Sequence, residues 1–247
     1  MINKVFNEDN KLTLGRMEDN FLDLTITSPP YNVDLGNNKY NKKPYDLYKD
    51  NKDHTAYLLW LKPTFELVYQ KTKKGGRCVI NIGDGKNGKV PTHSDIIQFM
   101  KEIGWLPFTT ILWNKSQVGN RTSWGSFNSP SCPSFPTPFE YILVFSKEQF
   151  KLSWKGESDL KKQEFIDWSL ALWSFPGENS KKVKHPAPFP KELPKRCIKM
   201  LSWKDSIIYD PFSGSGTTLV VSKELGRYYI GSEISEEYYN NSLERLK

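Results

Sequence analysis

Cysteine is scarce in this sequence. Cys78, Cys132 and Cys197 are the three in 247 residues, far apart and with no CxxC pair. That spacing argues against a zinc site and a disulfide framework, and it predicts reduced thiols in a cytoplasmic protein. No metal is expected. No apolar run reaches the ~20 residues of a membrane span, and the N-terminal residues lack a signal peptide's apolar core, so no membrane partner is expected. Internal repeats, low-complexity tracts and clear linkers are also missing. The Gly-rich turn near the C-terminal end is not a phosphate loop, because Thr217 follows Gly216 where such a loop needs Lys.

What is present is a basic, aromatic-rich α/β pattern. The formal net charge is +7, which suits a polyanionic partner and is equally compatible with an ordinary soluble basic protein. The length fits one domain, 1–247. Strand patterns at Lys11–Leu14, Phe21–Ile26, Arg77–Ile82, Phe108–Trp113, Phe139–Phe145, Ser206–Tyr209 and Tyr228–Gly231 alternate with helical spacing at Ala56–Gln70, Ser94–Ile103, Glu192–Leu201 and Leu219–Leu225. Such alternation predicts a parallel sheet covered on both faces. Pro63 is expected to break or kink its helix, Lys73–Gly76 to end it, and Ser94 or Thr92 to cap the next one. The 147–184 connection shows no pattern.

Two stretches carry chemistry. Asp210-Pro211-Phe212-Ser213-Gly214-Ser215-Gly216-Thr217-Thr218 joins a strand to a helix, an edge suited to a nucleotide-like ligand. The carboxylate of Asp210 repels phosphate and suits a cationic ligand. Glu233 follows about 20 residues beyond the glycines, where an acid can accept hydrogen bonds from a ribose. The second stretch, Thr27-Ser28-Pro29-Pro30-Tyr31-Asn32, ends a strand with two prolines that cannot donate to the ladder. Its fixed acceptor oxygens and its aromatic ring suit the exocyclic amine of a planar base. Ser28 and the Pro29 carbonyl would hold that amine, and Tyr31 would stack on the ring for ~1–3 kcal/mol. Ser28 has no neighbouring His or Lys in sequence to make it a base, so the proton is expected to leave after methylation. Taken separately, the turn could be an ordinary αβ connection, and the Pro-Pro stretch a strand terminator beside a buried Tyr.

Two polar, aromatic stretches break the rhythm. The first, 33–54, mixes Lys39, Lys42 and Lys43 with Tyr40, Tyr45 and Tyr48. The second, 114–138, carries Arg121, Trp124 and Phe127. Cations beside rings suit a nucleic-acid strand, and a solvated loop is the competing reading.

Together the two motifs resemble the S-adenosylmethionine-dependent DNA amino-methyltransferases, which act on cytosine N4 or adenine N6, in their circularly permuted β order. The stretches Arg121–Ser126 and Glu140–Phe145 are similar to this family too. The resemblance implies a three-layer Rossmann-like class I methyltransferase fold with a seven-stranded mixed sheet. It implies catalytic Ser28, Pro29, Pro30 and Tyr31. It also implies a cofactor site of Thr27, His185, Pro186, Phe189, Asp210 to Thr218, and Glu233. Double-stranded DNA is the implied partner, with Lys39, Lys42, Lys43, Arg121 and Trp124 as contacts and the target base flipped out. Target reading would fall to 33–54 and 114–138, with 147–184 contributing. Ser28 at the head of its tetrapeptide leans toward cytosine N4, with adenine N6 as the alternative. A cognate restriction endonuclease and a homodimer are further partners open to such a protein. The family commonly places an acid after the Gly of its first strand–turn, whereas Arg16 follows Gly15 here. An RNA or protein-amide methyltransferase of the same fold, and an inactive nucleic-acid-binding relative, are the competing classes.

Overall fold

A computed structural model describes residues 1–32, 47–48, 51–115, 125–178 and 189–247. Among them are eight strands in one mixed sheet: β1 Lys4–Phe6, β2 Leu22–Thr27, β3 Thr72–Ile82, β4 Trp105–Asn114, β5 Phe139–Lys147, β6 Leu172–Ser174, β7 Ile207–Asp210 and β8 Tyr228–Ser232. Seven helices accompany them: α1 Asn10–Gly15, α2 His54–Lys71, α3 Thr92–Ile103, α4 Lys162–Trp168, α5 Glu192–Leu201, α6 Thr217–Glu224 and α7 Glu236–Leu246. The sheet order is β1-β8-β7-β2-β3-β5-β4-β6. β5 lies antiparallel between β3 and β4, and the other pairings are parallel.

The three expected layers are present. Alternate residues of the central strands feed two cores, as the two-residue period of a strand requires. On one face Cys78, Ile80, Ile82, Leu143 and Phe145 pack with Tyr57, Leu61, Phe65 and Val68 of α2. On the other, Val79, Ile142 and Val144 pack with Leu193, Cys197 and Ile198 of α5 and Val221 of α6. Each such side chain, fully buried, contributes about 1.5–3 kcal/mol. All six residues of β2 are buried. This central strand therefore fixes where its C-terminal end, Thr27, emerges.

The structure corrects several expectations. Residues 11–14 lie in helix α1, not a strand. Asp9 caps that helix by accepting from the Lys11 amide at 2.8 Å, and Leu14 faces the core. The first strand is Lys4–Phe6, which pairs with β8, so the first and last strands of the permuted order are neighbours. α2 runs through Pro63 without interruption. Lys73–Gly76 belong to β3: the chain turns extended at Thr72, and Gly75 takes φ 77° at an irregular start to the pairing with β2. Neither Ser94 nor Thr92 caps α3, whose N-cap is Pro91 with no side-chain bond. The eighth strand, β6, comes from the 147–184 stretch, which also supplies α4.

That stretch is tied to the body by charge. Buried Arg227 bonds both oxygens of Asp159 at 2.8 Å and the Ser202 carbonyl at 3.1 Å. Lys199 of α5 pairs with Glu164 of α4. Removing one partner of a buried pair strands the other. Arg227→Ala is expected to lower the unfolding free energy by about 3 kcal/mol in a urea titration. A loss under about 1 kcal/mol, the worth of an exposed pair, would contradict this attachment.

Candidate active site

β7 and β2 sit side by side at the centre of the sheet, and the chain leaves them in opposite directions. After β7 it passes through α6 to β8, on one side. After β2 it passes through α2 to β3, on the other. A crevice opens at the C-terminal ends of strands where the order reverses in this way, and both sequence motifs stand at that crevice.

Asp210, at the end of β7, joins them. Its Oδ1 accepts from Thr27 Oγ1 at 2.7 Å and from the Phe212 amide at 3.1 Å, and its Oδ2 accepts from Thr218 Oγ1 at 2.8 Å. The Gly-rich turn is thereby bonded directly to the strand that delivers Ser28. The turn also closes onto β8. Glu233 Oε2 accepts the Gly214 amide at 2.8 Å, and its Oε1 accepts the Ser235 amide at 2.9 Å. Gly216 needs to be glycine: its φ is 77°, and a Cβ there would lie 2.8 Å from the Ser242 Cβ.

A cleft of about 430 Å³ runs between the motifs, lined by Ser28, Pro29 and Pro30 on one side and Pro211, Phe212 and Glu233 on the other. Glu8, Asp9 and Asn10 complete its floor, and Tyr48, Lys52 and Trp60 stand on its outer wall. The rings of Tyr48, Trp60 and Phe212 form a row, with centroids 4.8 and 5.8 Å apart. A second cavity of about 490 Å³ lies beyond the Ser28–Tyr31 turn, lined by Tyr31, Asn32, Ile82 and Gly83 among others. Lys52 borders both. The turn is therefore the partition between two adjoining spaces.

Ser213, Ser215, Thr217 and Thr218 are buried and shape the turn without lining the cleft. Thr27 is likewise buried against Asp210. Phe189 packs on the apolar cluster beneath α5. His185, Pro186, Lys39, Lys42, Lys43, Arg121 and Trp124 lie outside the described residues.

The sequence reading missed several groups. With the first strand moved to Lys4–Phe6, the acids that follow it are Glu8 and Asp9, both at the cleft. Arg16 is not at their position: it pairs with Glu8 and lies 5.1 Å from the centre of the Phe6 ring. The signal was a three-residue strand, too short to stand out. Asn81 and Lys115 also escaped notice, and Glu140 stood out only as part of the Glu140–Phe145 stretch, without its link to Tyr31. Glu140 Oε2 accepts from Tyr31 Oη at 2.9 Å and from Asn81 Nδ2 at 2.7 Å, while Lys115 pairs with Oε1. An alternating strand pattern marks Glu140 only as a polar exception inside β5.

Comparisons with known proteins give the family. The N6/N4 methyltransferase profile, described as DNA methylase, matches residues 22–244. The chain belongs to this DNA methylase family. It is 40% identical over 194 residues to the Type II methyltransferase M.MjaVI of Methanocaldococcus jannaschii, a match covering 74% of this chain and 95% of that protein. It is 30% identical to M.MjaI of the same organism, covering 94% and 86%. A candidate DNA modification methylase of Thermus thermophilus, complexed with S-adenosyl-L-methionine, superposes with a TM-score of 0.77 at 26% identity, covering 98% and 92%. Among the described residues no helix is long and apolar enough to cross a membrane.

Burial raises the Asp210 carboxyl to about 6, against the bonds from Thr27, Thr218 and Phe212. Burial raises Glu233 as well. An unfolded aspartate titrates near about 3.9. Between the two values the folded state keeps a proton that the unfolded chain has lost. Stability from this group therefore falls as pH rises from about 4 to about 6, and the ionised form carries a constant cost, on the order of 3 kcal/mol, above that. The unfolding free energy of Asp210→Asn is expected to gain on wild type across that window and then run parallel to it. A difference that does not change with pH would contradict the burial argument.

Proposed function

We propose that the protein transfers a methyl group from S-adenosylmethionine to the exocyclic amine of a flipped-out base in double-stranded DNA, with cytosine N4 as the favoured target. The observation that carries this is the Ser28–Tyr31 turn, tied to the Gly-rich turn through the Thr27–Asp210 bond, whose residues line both the acid-lined cleft and a second cavity beside it. When bound, the cofactor supplies an electrophilic methyl group on a sulfonium centre.

The donor set fits that cofactor. Glu8, Asp9 and Glu233 make the cleft acidic, the turn has no phosphate-binding Lys, and the row of rings offers faces to an adenine. Glu233 is assigned to the ribose hydroxyls. Asp9 Oδ1 caps α1, and Asp9 Oδ2 is assigned to the adenine amine. Ser28 and the Pro29 carbonyl hold the target amine, and Tyr31 stacks on the everted base. Most of the acceleration comes from positioning and from loss of the sulfonium charge in a shaped pocket. Ser28 supports cytosine within the family.

Lys39, Lys42 and Lys43 in 33–54, and Arg121 and Trp124 in 114–138, are the proposed DNA contacts. The 147–184 stretch contributes to target reading. The chain acts as a single catalytic domain in the cytoplasm, and partnership with a restriction endonuclease or a second copy fits the same reading.

Incubation with methyl-labelled cofactor and mixed-sequence duplex DNA, followed by nucleoside analysis, is expected to give N4-methylcytosine. N6-methyladenine would overturn the choice of base, and label in RNA or protein alone would overturn the substrate class. Replacing Lys39, Lys42 and Lys43 by Ala should flatten the salt dependence of DNA binding by about 0.9 in log–log slope for each phosphate no longer neutralised. An unchanged slope would put the phosphate-binding cations elsewhere.

A further inference from the structure

Replacing one amine hydrogen by a methyl group frees one proton and cancels the positive charge of a sulfonium donor. A positive charge must therefore leave the site as a proton. Ser28, the hydroxyl nearest the proposed amine position, has no basic neighbour in sequence. In space it has one at the end of a short chain.

We propose that Glu140 is the terminal acceptor of that proton, reached from the target amine through the hydroxyls of Ser28 and Tyr31. This rests on the amino-methyltransferase reading given above. Ser28 Oγ lies 3.2 Å from Tyr31 Oη, and Tyr31 Oη donates to Glu140 Oε2 at 2.9 Å. The direction of the chain is set by Asn81. Its Nδ2 donates to Tyr31 Oη at 2.9 Å, so the phenol oxygen is an acceptor for Asn81 and for Ser28, and its own hydrogen points to the carboxylate. Ser28 Oγ also lies 3.2 Å from the Asn81 carbonyl, so its hydrogen can swing between that oxygen and Tyr31.

The balance is simple. The amine N–H bond breaks during methyl transfer, and not after it as the sequence alone suggested, while an O–H bond forms on Ser28. The Ser28 proton passes to Tyr31, and the Tyr31 proton passes to Glu140 Oε2. The two hydroxyls end as they began, and the carboxylate becomes a carboxylic acid. Its other oxygen faces Lys115, whose side chain is 35% exposed, and the proton leaves to water on that side. Glu140 itself is only 8% exposed and sits 109 residues from Tyr31 in sequence, which is why no local spacing reveals their contact. The phenol hydroxyl of Tyr31 thus has a task separate from that of its ring face, which stacks on the base.

The separation makes the test clean. Tyr31→Phe keeps the ring and removes the relay hydroxyl. Glu140→Gln keeps the shape and an acceptor oxygen for Tyr31 but cannot take a proton. Single-turnover methylation of duplex DNA is measured from pH 6 to 9, with calorimetric cofactor affinity and 2-aminopurine fluorescence of base flipping as readings independent of turnover. Both variants are expected to lose about 10²–10⁴-fold in the single-turnover rate, the usual worth of a positioned base. Cofactor affinity and flipping should stay within about two-fold, and the residual rate should climb with pH as hydroxide replaces the carboxylate. The double variant should be no slower than the worse single one, because both lie on one path. Wild-type rates and pH profiles in both variants, or losses that multiply in the double variant, overturn the relay. If Glu140→Gln loses cofactor affinity through misfolding, Tyr31→Phe decides alone. A wild type that transfers no methyl group to any DNA overturns the amino-methyltransferase reading and the relay together, whereas an active wild type with unaffected variants overturns the relay only.

Discussion

The hydrogen bond from Thr27 Oγ1 to Asp210 Oδ1 is the interaction on which the site depends. It crosses the central pair of strands, β2 and β7, where the sheet's order reverses. Parallel pairing of Leu24 with Ile208 and of Thr25 with Tyr209 fixes the register that brings the two side chains into reach. On one side the chain leaves β7 into the Gly-rich turn, and on the other it leaves β2 into the Ser28–Tyr31 turn. A buried carboxylate is costly to ionise, and Asp210 is held by three donors that restrain the Gly-rich turn from three directions. The residue therefore acts more as a clasp between two turns than as an arm reaching into the cleft.

The permuted chain order follows from the same sheet. β1 and β8 pair in parallel at one edge, so the first and last strands meet there. A break in the chain at this edge leaves the central strands and both cores untouched. The acids after β1 still reach the cleft floor, and Glu233 after β8 reaches its rim.

Much of this was legible in the sequence, for identifiable reasons. β2 was readable because Leu22, Leu24 and Ile26 recur at strand spacing and two prolines stop the run. α5 was readable because Leu193, Cys197, Ile198 and Leu201 recur at helical spacing. The Gly-rich turn was readable as a strand–turn–helix junction because the apolar run Ile207–Tyr209 ends at Asp210 and paired glycines lead into helical spacing. The failures are equally specific. Lys4–Phe6 is too short to show a period, so Leu12 and Leu14 drew the strand assignment to what is a capped helical turn. Thr72–Gly76 carries two glycines after a helix, which mimics a C-terminal cap, and only pairing with β2 pulls it into the sheet. Glu140, Asn81 and Lys115 were invisible as a group because separate segments of the chain deliver them. Their meeting is a property of the β3–β5–β4 order, with β5 antiparallel between its neighbours.

In the site as proposed, two turns far apart in sequence enclose one reaction space. A crystal structure of the protein with S-adenosylhomocysteine and a short duplex is the decisive measurement. The ribose is expected at Glu233, the sulfur facing the Ser28–Pro29 side of the cleft, and the everted base against the Tyr31 ring. A cofactor bound away from Glu233 and Phe212, or a base seated where the Ser28–Tyr31 turn does not reach it, would contradict it.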